Sequence, residues 1–412
     1  MPKLRALVHA SQLFTGAGIR RKDGRKIQEA DLGLIEDGAL VYSVKKVGSK
    51  EIPHRVEWVG ATSGLPKKYS RVSKKDLKKQ KVVTAGFVDC HTHLVFAGDR
   101  SEEFALRSAG ATYEEIAKKG GGIATTVRAT REATSAQLEK LAEVRLKEAY
   151  AWGIRTVEIK SGYGLSTESE IKILEVVQKL IKKHPEMTIV PTFLGAHAYP
   201  KDQSREAYLN DLLERMLPEV ARRKLATSCD VFIDDGYYTR DEGKRILTKA
   251  KELGLAVRVH ADEMGDTDSA ALAAELGALS ADHLLKVSEK GIQKLAQSQT
   301  VSVLLPGTAF YLKAAHAPAR KLIQSGACVA LSTDFNPGTC MTQSLPAIMT
   351  LGALYLGMSR AEILAAVTYN AAKALGLSGS KGSLEPGKDA DFTILNAQRF
   401  EEIYYRFAWQ PS

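Results

Sequence analysis

From Val82 onward, short apolar runs alternate with amphipathic helical stretches. Eight of these runs are predicted to be strands: VTAGFVDCHTH, RTVEIKSG, TIVPTFLGAHA, CDVFIDDG, LAVRVHADE, ALSADHL, TVSVLLPG and CVALSTDFN. Strands that alternate with helices favour a parallel sheet, and eight of them predict an α/β chain with a (β/α)8 TIM-like barrel. A doubly wound sheet is the competing fold, but no Gly-x-Gly-x-x-Gly motif follows a predicted strand.

The two ends of the chain have a β pattern of their own. Residues 1–80 contain short β-like pieces separated by polar turns, and residues 377–412 return to this pattern in GSLEPGKDADFTIL. The simplest arrangement joins the two ends into one small β-sandwich. We therefore predict a β-sandwich formed by residues 1–80 and 377–412, and a (β/α)8 barrel formed by residues 81–376.

Composition predicts an ordinary globular protein of the cytoplasm. The 412 residues are 44% hydrophobic, enough for a large core. No apolar run approaches the ~20 residues of a membrane span, and the N-terminus lacks a signal-peptide pattern. The four cysteines (Cys90, Cys229, Cys328 and Cys340) are widely scattered. Scattered cysteines favour free thiols in a reduced compartment, so we expect a cytoplasmic protein without a membrane partner.

The net charge of +10 is local. The segment Lys67–Lys81 holds eight Lys or Arg and one Asp, and so supplies +7 of it. Such a run is typical of a solvated loop or helix face, and contact with RNA or an anionic surface is the alternative. We expect no nucleic-acid partner.

The first predicted strand leads into His91 and His93. Residues two apart on a strand point to the same side, so both imidazoles face one spot. Two aligned imidazoles suit a first-row divalent metal, although two unrelated histidines could alternate in the same way. The remainder of the chain decides between these interpretations.

Reactive side chains stand at the C-terminal ends of nearly all predicted strands. They are His91, His93, Tyr163, His197, His260, Glu263, His283, Asp334 and Asn336. In a barrel these ends face the same mouth. We predict one divalent metal, zinc or iron, with three nitrogen ligands, one carboxylate ligand and a position left for water. The predicted ligands are His91, His93, His260 and Asp334.

Proton transfer requires groups beside the water that the metal activates. Glu263, three residues after His260, and His283 are predicted to serve this purpose, and Asp334 is also able to accept the water's proton. The alternatives are a Glu at a helix N-terminus and a buried structural His. The fourth predicted strand contains no lysine that could bridge a second metal, and Lys160 follows the second strand, so we predict a single metal.

A second set of side chains suits an anionic substrate. It consists of the hydrogen-bond donors Arg100, Tyr113, Tyr163 and His197. An arginine binds a carboxylate through two parallel hydrogen bonds. In the loop after Asp334, Asn336 and Thr339 are able to orient a small ring, and Gly338 allows close approach to the backbone. The alternatives are a loop salt bridge for Arg100 and a partly buried helical residue for Tyr113.

These stretches resemble the metal-dependent amidohydrolase superfamily, and more closely its imidazolonepropionase family. The matching segments are FVDCHTHLVFAGDRSEEFALRSAGATYEEIAKKGGGI, EIKSGYGL, TFLGAHAYP, VHADE, ADHL and STDFNPGT. The resemblance implies ring opening of 4-imidazolone-5-propanoate to N-formimidoyl-L-glutamate in histidine degradation, by a metal-activated water. It implies the same four metal ligands. It also implies substrate contacts at Arg100, Tyr113, Tyr163, His197, Glu263, Asn336, Gly338 and Thr339.

Two other functions are considered. A deaminase of a small heterocycle from the same superfamily would also fit His260-x-x-Glu263, but a neutral nucleobase would not need the donor set of Arg100. A non-catalytic interaction protein that has kept the barrel would be expected to lose metal ligands. A homodimer is expected because closed two-fold dimers are the commonest oligomers.

Overall fold

The computed structural model describes residues 3–110 and 121–411. Tyr113, one of the predicted substrate contacts, lies outside the described residues. Within these two ranges, none of the helices combines the length and the apolar character of a membrane span.

Eight parallel strands form the larger sheet, in the order in which they follow along the chain. They are β6 (Phe87–Asp89), β7 (Ile154–Lys160), β8 (Thr188–Ala196), β9 (Ser228–Ile233), β10 (Ala256–Ala261), β11 (Ser280–His283), β12 (Val301–Leu304) and β13 (Val329–Leu331). The ends of β6 and β13 meet through a bridge between Thr92 and Phe335, where the His93 N–H donates to the Phe335 carbonyl at 2.9 Å. The predicted (β/α)8 barrel is confirmed.

Helices connect and surround these strands. They are Ser101–Ser108, Ile123–Glu132, Ser135–Ala151, Thr167–Lys183, Arg205–Asp211, Leu217–Arg222, Arg240–Glu252, Ser269–Glu275, Glu289–Gln297, Pro306–Leu312, Ala319–Ser325, Leu345–Leu354, Arg360–Ala366 and Tyr369–Ala374. The helix after β7 shows why they form. The Ser166 hydroxyl accepts the Ser169 N–H at its start, and Leu174 and Val177 bury one face. Capping followed by an apolar stripe both fixes the start of a helix and directs it to the sheet.

Both chain ends contribute to a second sheet of six strands. These are β1 (Lys3–Phe14), β2 (Leu34–Val47), β3 (Lys50–Ala61), β4 (Ser73–Asp76), β5 (Val82–Ala85) and β14 (Phe392–Leu395). β14 pairs with β5 in antiparallel fashion, which places the C-terminal segment against the N-terminal one. Two short helices, Ala17–Arg21 and Glu401–Tyr405, complete these ends. The small β unit predicted from both ends is confirmed, whereas its limits at residues 80 and 377 stay a prediction.

The apolar run that starts at Val82 differs from the prediction of one continuous strand. β5 pairs with β1 and β14 in the small sheet, whereas β6 pairs with β7 in the barrel. Gly86 separates the two strands, and a Cβ atom there would lie 2.6 Å from the Asp391 carboxylate. The run is apolar throughout because its two halves are buried in different cores.

Part of the lysine-rich segment forms an exposed edge of the small sheet, and its first residues form a short 3-10 helix, Lys67–Tyr69. β4 lies within the segment, pairs with β1 in parallel fashion, and is exposed along its whole length. Tyr69 and Leu77, on either side of β4, are buried. Lysines along an edge strand keep it soluble and oppose pairing with other sheets.

Candidate active site

A cavity of about 400 Å³ opens at the C-terminal ends of the barrel strands. Ten of the predicted site residues line it: His93, Arg100, Tyr163, His197, His260, Glu263, His283, Asp334, Asn336 and Thr339. His91 lies beside them, with its ring centroid 4.5 Å from that of His260. The barrel thus brings together side chains that are far apart in the sequence.

Three of the four predicted ligands (His91, His93 and Asp334) form one compact group, and His260 groups instead with His91 and with His283, which was predicted to transfer protons. The Nε2 atoms of His91 and His93 each lie 3.5 Å from Oδ1 of Asp334. The Nε2 atoms of His91 and His260 are buried and have no hydrogen-bond partner among the described residues. Buried polar atoms without a partner are costly, so a cation that both nitrogens ligate fits this arrangement.

The protonation of these histidines also suits a metal. Burial holds the pKa of both His91 and His93 well below the ordinary value, so their rings are neutral. Nδ1 of His91 lies 2.7 Å from Oδ2 of Asp282, and Nδ1 of His260 lies 3.1 Å from Oδ1 of Asp230. A proton held at Nδ1 by a carboxylate leaves Nε2 free to ligate and fixes the direction of the ring.

Beneath the histidines lies a cluster of charged side chains that the sequence analysis did not assign to the site. Its members, all 0% exposed, are Glu158, Lys160, Asp230, Arg258 and Asp282. Lys160 Nζ donates to Asp230 at 2.7 Å and to Glu158 at 3.0 Å, and Arg258 donates to Asp282 at 3.1 Å. Together with Asp334 there are four carboxylates against two cations. A divalent cation would balance this excess of negative charge.

The charges of this cluster stabilise one another. Burial alone would raise the pKa of Asp230, but His260 and Lys160 outweigh burial and hold it well below the ordinary value. Burial likewise opposes the charge on Lys160, yet Asp230 and Glu158 raise its pKa. Asp230 is therefore a carboxylate and Lys160 an ammonium group. The signal in the sequence was the presence of polar residues at alternate positions of otherwise apolar strands.

The Asp334 carboxylate also contacts a helix, through the oxygen that does not face His91 and His93. The Thr308 hydroxyl, in the helix Pro306–Leu312, donates to Oδ2 of Asp334 at 2.6 Å. Burial raises the pKa of Asp334 to about 7, although this hydrogen bond lowers it. The backbone of Asp334 has φ +52° and that of His283 has φ +76°. Such positive values are uncommon outside glycine and cluster at functional sites.

We predict that Thr308→Val lowers kcat/KM by about tenfold, because a hydrogen bond to a charged group contributes ~1.5 kcal/mol or more. Valine keeps the shape of threonine but cannot donate to Asp334. Steady-state kinetics measure the effect, and Thr308→Ser, which keeps the hydroxyl, is the control. Equal losses in both variants would show that packing matters here, and not the hydrogen bond.

Glu263 and His283 approach the cavity as a pair. Oε1 of Glu263 lies 3.4 Å from Nδ1 of His283. The carboxylate of Asp234, after β9, accepts the backbone N–H groups of Glu263 and Met264 at 2.8 Å each and so fixes this loop. Burial, together with the charge of Asp334, raises the pKa of Glu263 well above its ordinary value. The carboxyl group is therefore able to carry a proton at neutral pH.

The proposed substrate contacts stand on the other side of the cavity. Arg100 Nε donates to Glu103 at 2.8 Å, and a Cβ atom at Gly338 would lie 2.1 Å from Nη1 of Arg100. Only glycine at position 338 therefore leaves this guanidinium in place. The side-chain oxygen of Asn336 accepts the N–H groups of Gly338 and Thr339 at 2.8 Å each, which closes the loop into a tight turn.

His197 differs in one respect from its prediction as a hydrogen-bond donor to the substrate. Its Nδ1 lies 3.0 Å from the Gly162 carbonyl, and its ring stacks on His93 with centroids 4.9 Å apart. Burial and the neighbouring His260 lower the pKa of His197 to about 3, so the ring is neutral. Since Nδ1 donates to the carbonyl, Nε2 is an acceptor.

This chain is similar to known proteins along most of its length. A model of the amidohydrolase family matches residues 82–407. A protein named imidazolonepropionase from Symbiobacterium thermophilum is 46% identical over 97% of this chain and 92% of its own length. One of the same name from Bdellovibrio bacteriovorus is 43% identical over 97% of this chain and 93% of its own.

Two solved structures support the fold alone, because their identity to this chain is low. The A. niger ochratoxinase aligns with a TM-score of 0.70 at 17% identity, over 100% of this chain and 94% of its own. A zinc-bound adenosine deaminase from Xanthomonas campestris aligns with a TM-score of 0.68 at 17% identity, over 96% of this chain and 85% of its own.

Proposed function

We propose that this chain, which belongs to the amidohydrolase family and within it to the imidazolonepropionases, hydrolyses 4-imidazolone-5-propanoate to N-formimidoyl-L-glutamate. This reaction is a step of histidine degradation. The observation that carries the proposal is that a histidine and carboxylate cluster, a proton-carrying pair and an arginine line one and the same cavity. A small cyclic amide with one carboxylate requires these three features.

The reaction adds water across one C–N bond of the ring. The water oxygen joins the ring carbonyl carbon, the bond from that carbon to the ring nitrogen breaks, and the nitrogen takes a proton. A divalent cation, zinc or iron, held by His91, His93, His260 and Asp334, would polarise the carbonyl and lower the pKa of the water towards neutrality. One such cation per chain is part of this proposal.

The side chains around the cavity move the protons. Asp334 accepts a proton from the attacking water, while the Thr308 hydroxyl donates to its Oδ2 atom. Glu263 delivers a proton to the leaving nitrogen, and His283, whose Nδ1 lies 3.4 Å from this carboxyl group, exchanges protons with it. Each of these groups lines the cavity, within reach of a small ring.

The remaining side chains select and orient the substrate. Arg100 binds the propanoate group, and the Tyr163 hydroxyl donates to the same carboxylate. The Nε2 acceptor of His197 takes a ring N–H, which the neutral form fixed by Gly162 allows. The turn at Asn336, Gly338 and Thr339 closes against the ring.

We predict that Arg100→Met raises KM by about tenfold and changes kcat much less, since a charge-assisted hydrogen bond contributes ~1.5–3 kcal/mol. Methionine keeps the length of the side chain but removes its charge. Initial rates over a range of substrate concentrations give both constants. Arg128→Met, at an exposed position of the helix Ile123–Glu132, is the matched control. An unchanged KM for Arg100→Met would favour a neutral substrate, as in a deaminase.

The direct test is incubation with 4-imidazolone-5-propanoate, following the loss of its ultraviolet absorbance. We expect hydrolysis by the untreated protein and none after treatment with a chelator, with recovery when zinc or iron is restored. No turnover by metal-loaded protein would contradict the proposal. A cytoplasmic location, a homodimer and the lack of a nucleic-acid partner stay predictions.

A further inference from the structure

Behind the ligand histidines, three buried carboxylates surround a single ammonium group. We call Glu158, Asp230 and Asp282 the carboxylate nest. Lys160 Nζ lies 3.0 Å from Oε1 of Glu158, 2.7 Å from Oδ2 of Asp230 and 4.0 Å from Oδ2 of Asp282. All four side chains are inaccessible to solvent. The nest therefore already holds a cation, and that cation belongs to the chain itself.

The nest lies outside the substrate cavity. Asp230 and Asp282 contact Nδ1 of His260 and of His91, whereas the Nε2 atoms of these rings face the proposed metal. Lys160 does not line the cavity and cannot touch the substrate. The proposed reaction thus gives this buried lysine no chemical step.

The side chain of Lys160 reaches across the barrel interior. It starts at the end of β7 and bonds to Asp230 on β9, with β8 lying between these strands in the sheet. Only a long side chain spans this distance. A neutral residue at position 160 would leave Glu158 and Asp230 buried and without their cation, which is strongly unfavourable.

The other cation of the cluster cannot take the place of Lys160. Arg258 donates to the Cys90 and Ala374 carbonyls as well as to Asp282, so these three groups already hold its guanidinium in place. In addition, Oδ1 of Asp282 is buried and has no hydrogen-bond partner among residues 3–110 and 121–411. The nest would therefore offer several free carboxylate oxygens, which are the ligands that hard divalent cations prefer.

We propose that Lys160 is a built-in cation that limits this centre to one metal ion. Its ammonium group fills the carboxylate nest, which would otherwise take a second divalent cation behind His91 and His260. The inference rests on the proposed metal centre, but it concerns how many ions the chain holds and not which reaction they serve.

The test is the metal content of Lys160→Ala. The variant and the unaltered chain are produced with added Mn²⁺, freed of loosely bound metal and analysed for total divalent metal per chain. We expect one ion in the unaltered chain and two in the variant. A folded variant that still holds one ion would overturn the proposal.

A second variant separates the nest from other metal sites. In Lys160→Ala with Glu158→Gln, one carboxylate of the nest is neutralised, so we expect the content to return to one ion. Two ions in this double variant would place the extra ion elsewhere and contradict the proposal.

Because alanine leaves buried charges, unfolding of Lys160→Ala is followed with and without Mn²⁺. Stabilisation by Mn²⁺ beyond that of the unaltered chain supports the proposal, and a variant that Mn²⁺ cannot restore contradicts it. None of these measurements uses the substrate, so their failure is distinct from failure of the proposed hydrolysis.

Discussion

Replacing Asp334 by asparagine is expected to lower kcat/KM for 4-imidazolone-5-propanoate by about a thousandfold, within the range for loss of a proton-transfer group. The carboxylate lies 3.5 Å from Nε2 of both His91 and His93, and its other oxygen is bound to Thr308. Asparagine has nearly the same shape but cannot accept the proton of water. It also removes one of the four carboxylates that balance a divalent cation.

Two measurements separate the causes of this loss. Metal content shows whether the variant still holds its ion, and kinetics at saturating metal show what the missing carboxylate contributes beyond binding it. Asp235→Asn, the same change at an exposed carboxylate after β9, is the control and is expected to leave kcat/KM unchanged. Activity of Asp334→Asn close to that of the control would show that Asp334 is neither a metal ligand nor a proton acceptor.

The barrel was predictable because its strands are buried on both faces. Such strands are nearly continuous apolar runs, and helical periodicity between them is easily distinguished. Each of the eight predicted runs contains one strand of the larger sheet. The prediction of one continuous strand at Val82 was wrong because apolar residues indicate that a strand is buried, but not in which sheet it is buried.

The site residues that directly follow barrel strands could be predicted from the sequence. The histidines and Asp334 follow strands directly, so knowing the fold was enough to place them at one mouth. Asp230 and Asp282 lie within strands, and their pairing with particular histidines depends on register. Asp230, for example, aligns with Arg258 on the adjacent strand, two residues before the His260 that it contacts. The acceptor state of His197 depends on the Gly162 carbonyl, a backbone group that every residue carries.

Thr308 is another residue whose role the sequence alone did not predict. It lies in the helix Pro306–Leu312, 26 residues before Asp334 in the sequence, and nothing in PGTAF distinguishes its hydroxyl from an ordinary surface group. Its role depends on where this helix lies relative to the loop after β13, which is a tertiary property. Local patterns therefore located the groups at the cavity, whereas the groups that support them became evident only from packing.

Replacing Arg258 by methionine is expected to lower the free energy of unfolding by ~3–5 kcal/mol, the usual cost of removing one partner of a buried ion pair. The guanidinium is fully buried and donates to the Ala374 carbonyl at 2.9 Å, the Cys90 carbonyl at 2.6 Å and Asp282 at 3.1 Å. Methionine fills a similar volume but leaves two carbonyls and one carboxylate without these donors. The cost arises mainly from Asp282, whose charge stays buried.

Urea unfolding of three variants tests this origin. Arg245→Met, at an exposed position of the helix Arg240–Glu252, is the control and is expected to change stability by less than ~0.5 kcal/mol. Arg258→Met with Asp282→Asn removes both charges, so we expect it to be more stable than Arg258→Met alone. If the second substitution only adds to the loss, the stability lost with Arg258 comes from packing and backbone hydrogen bonds. If it restores stability, the buried carboxylate that orients His91 is tolerated only because Arg258 compensates its charge.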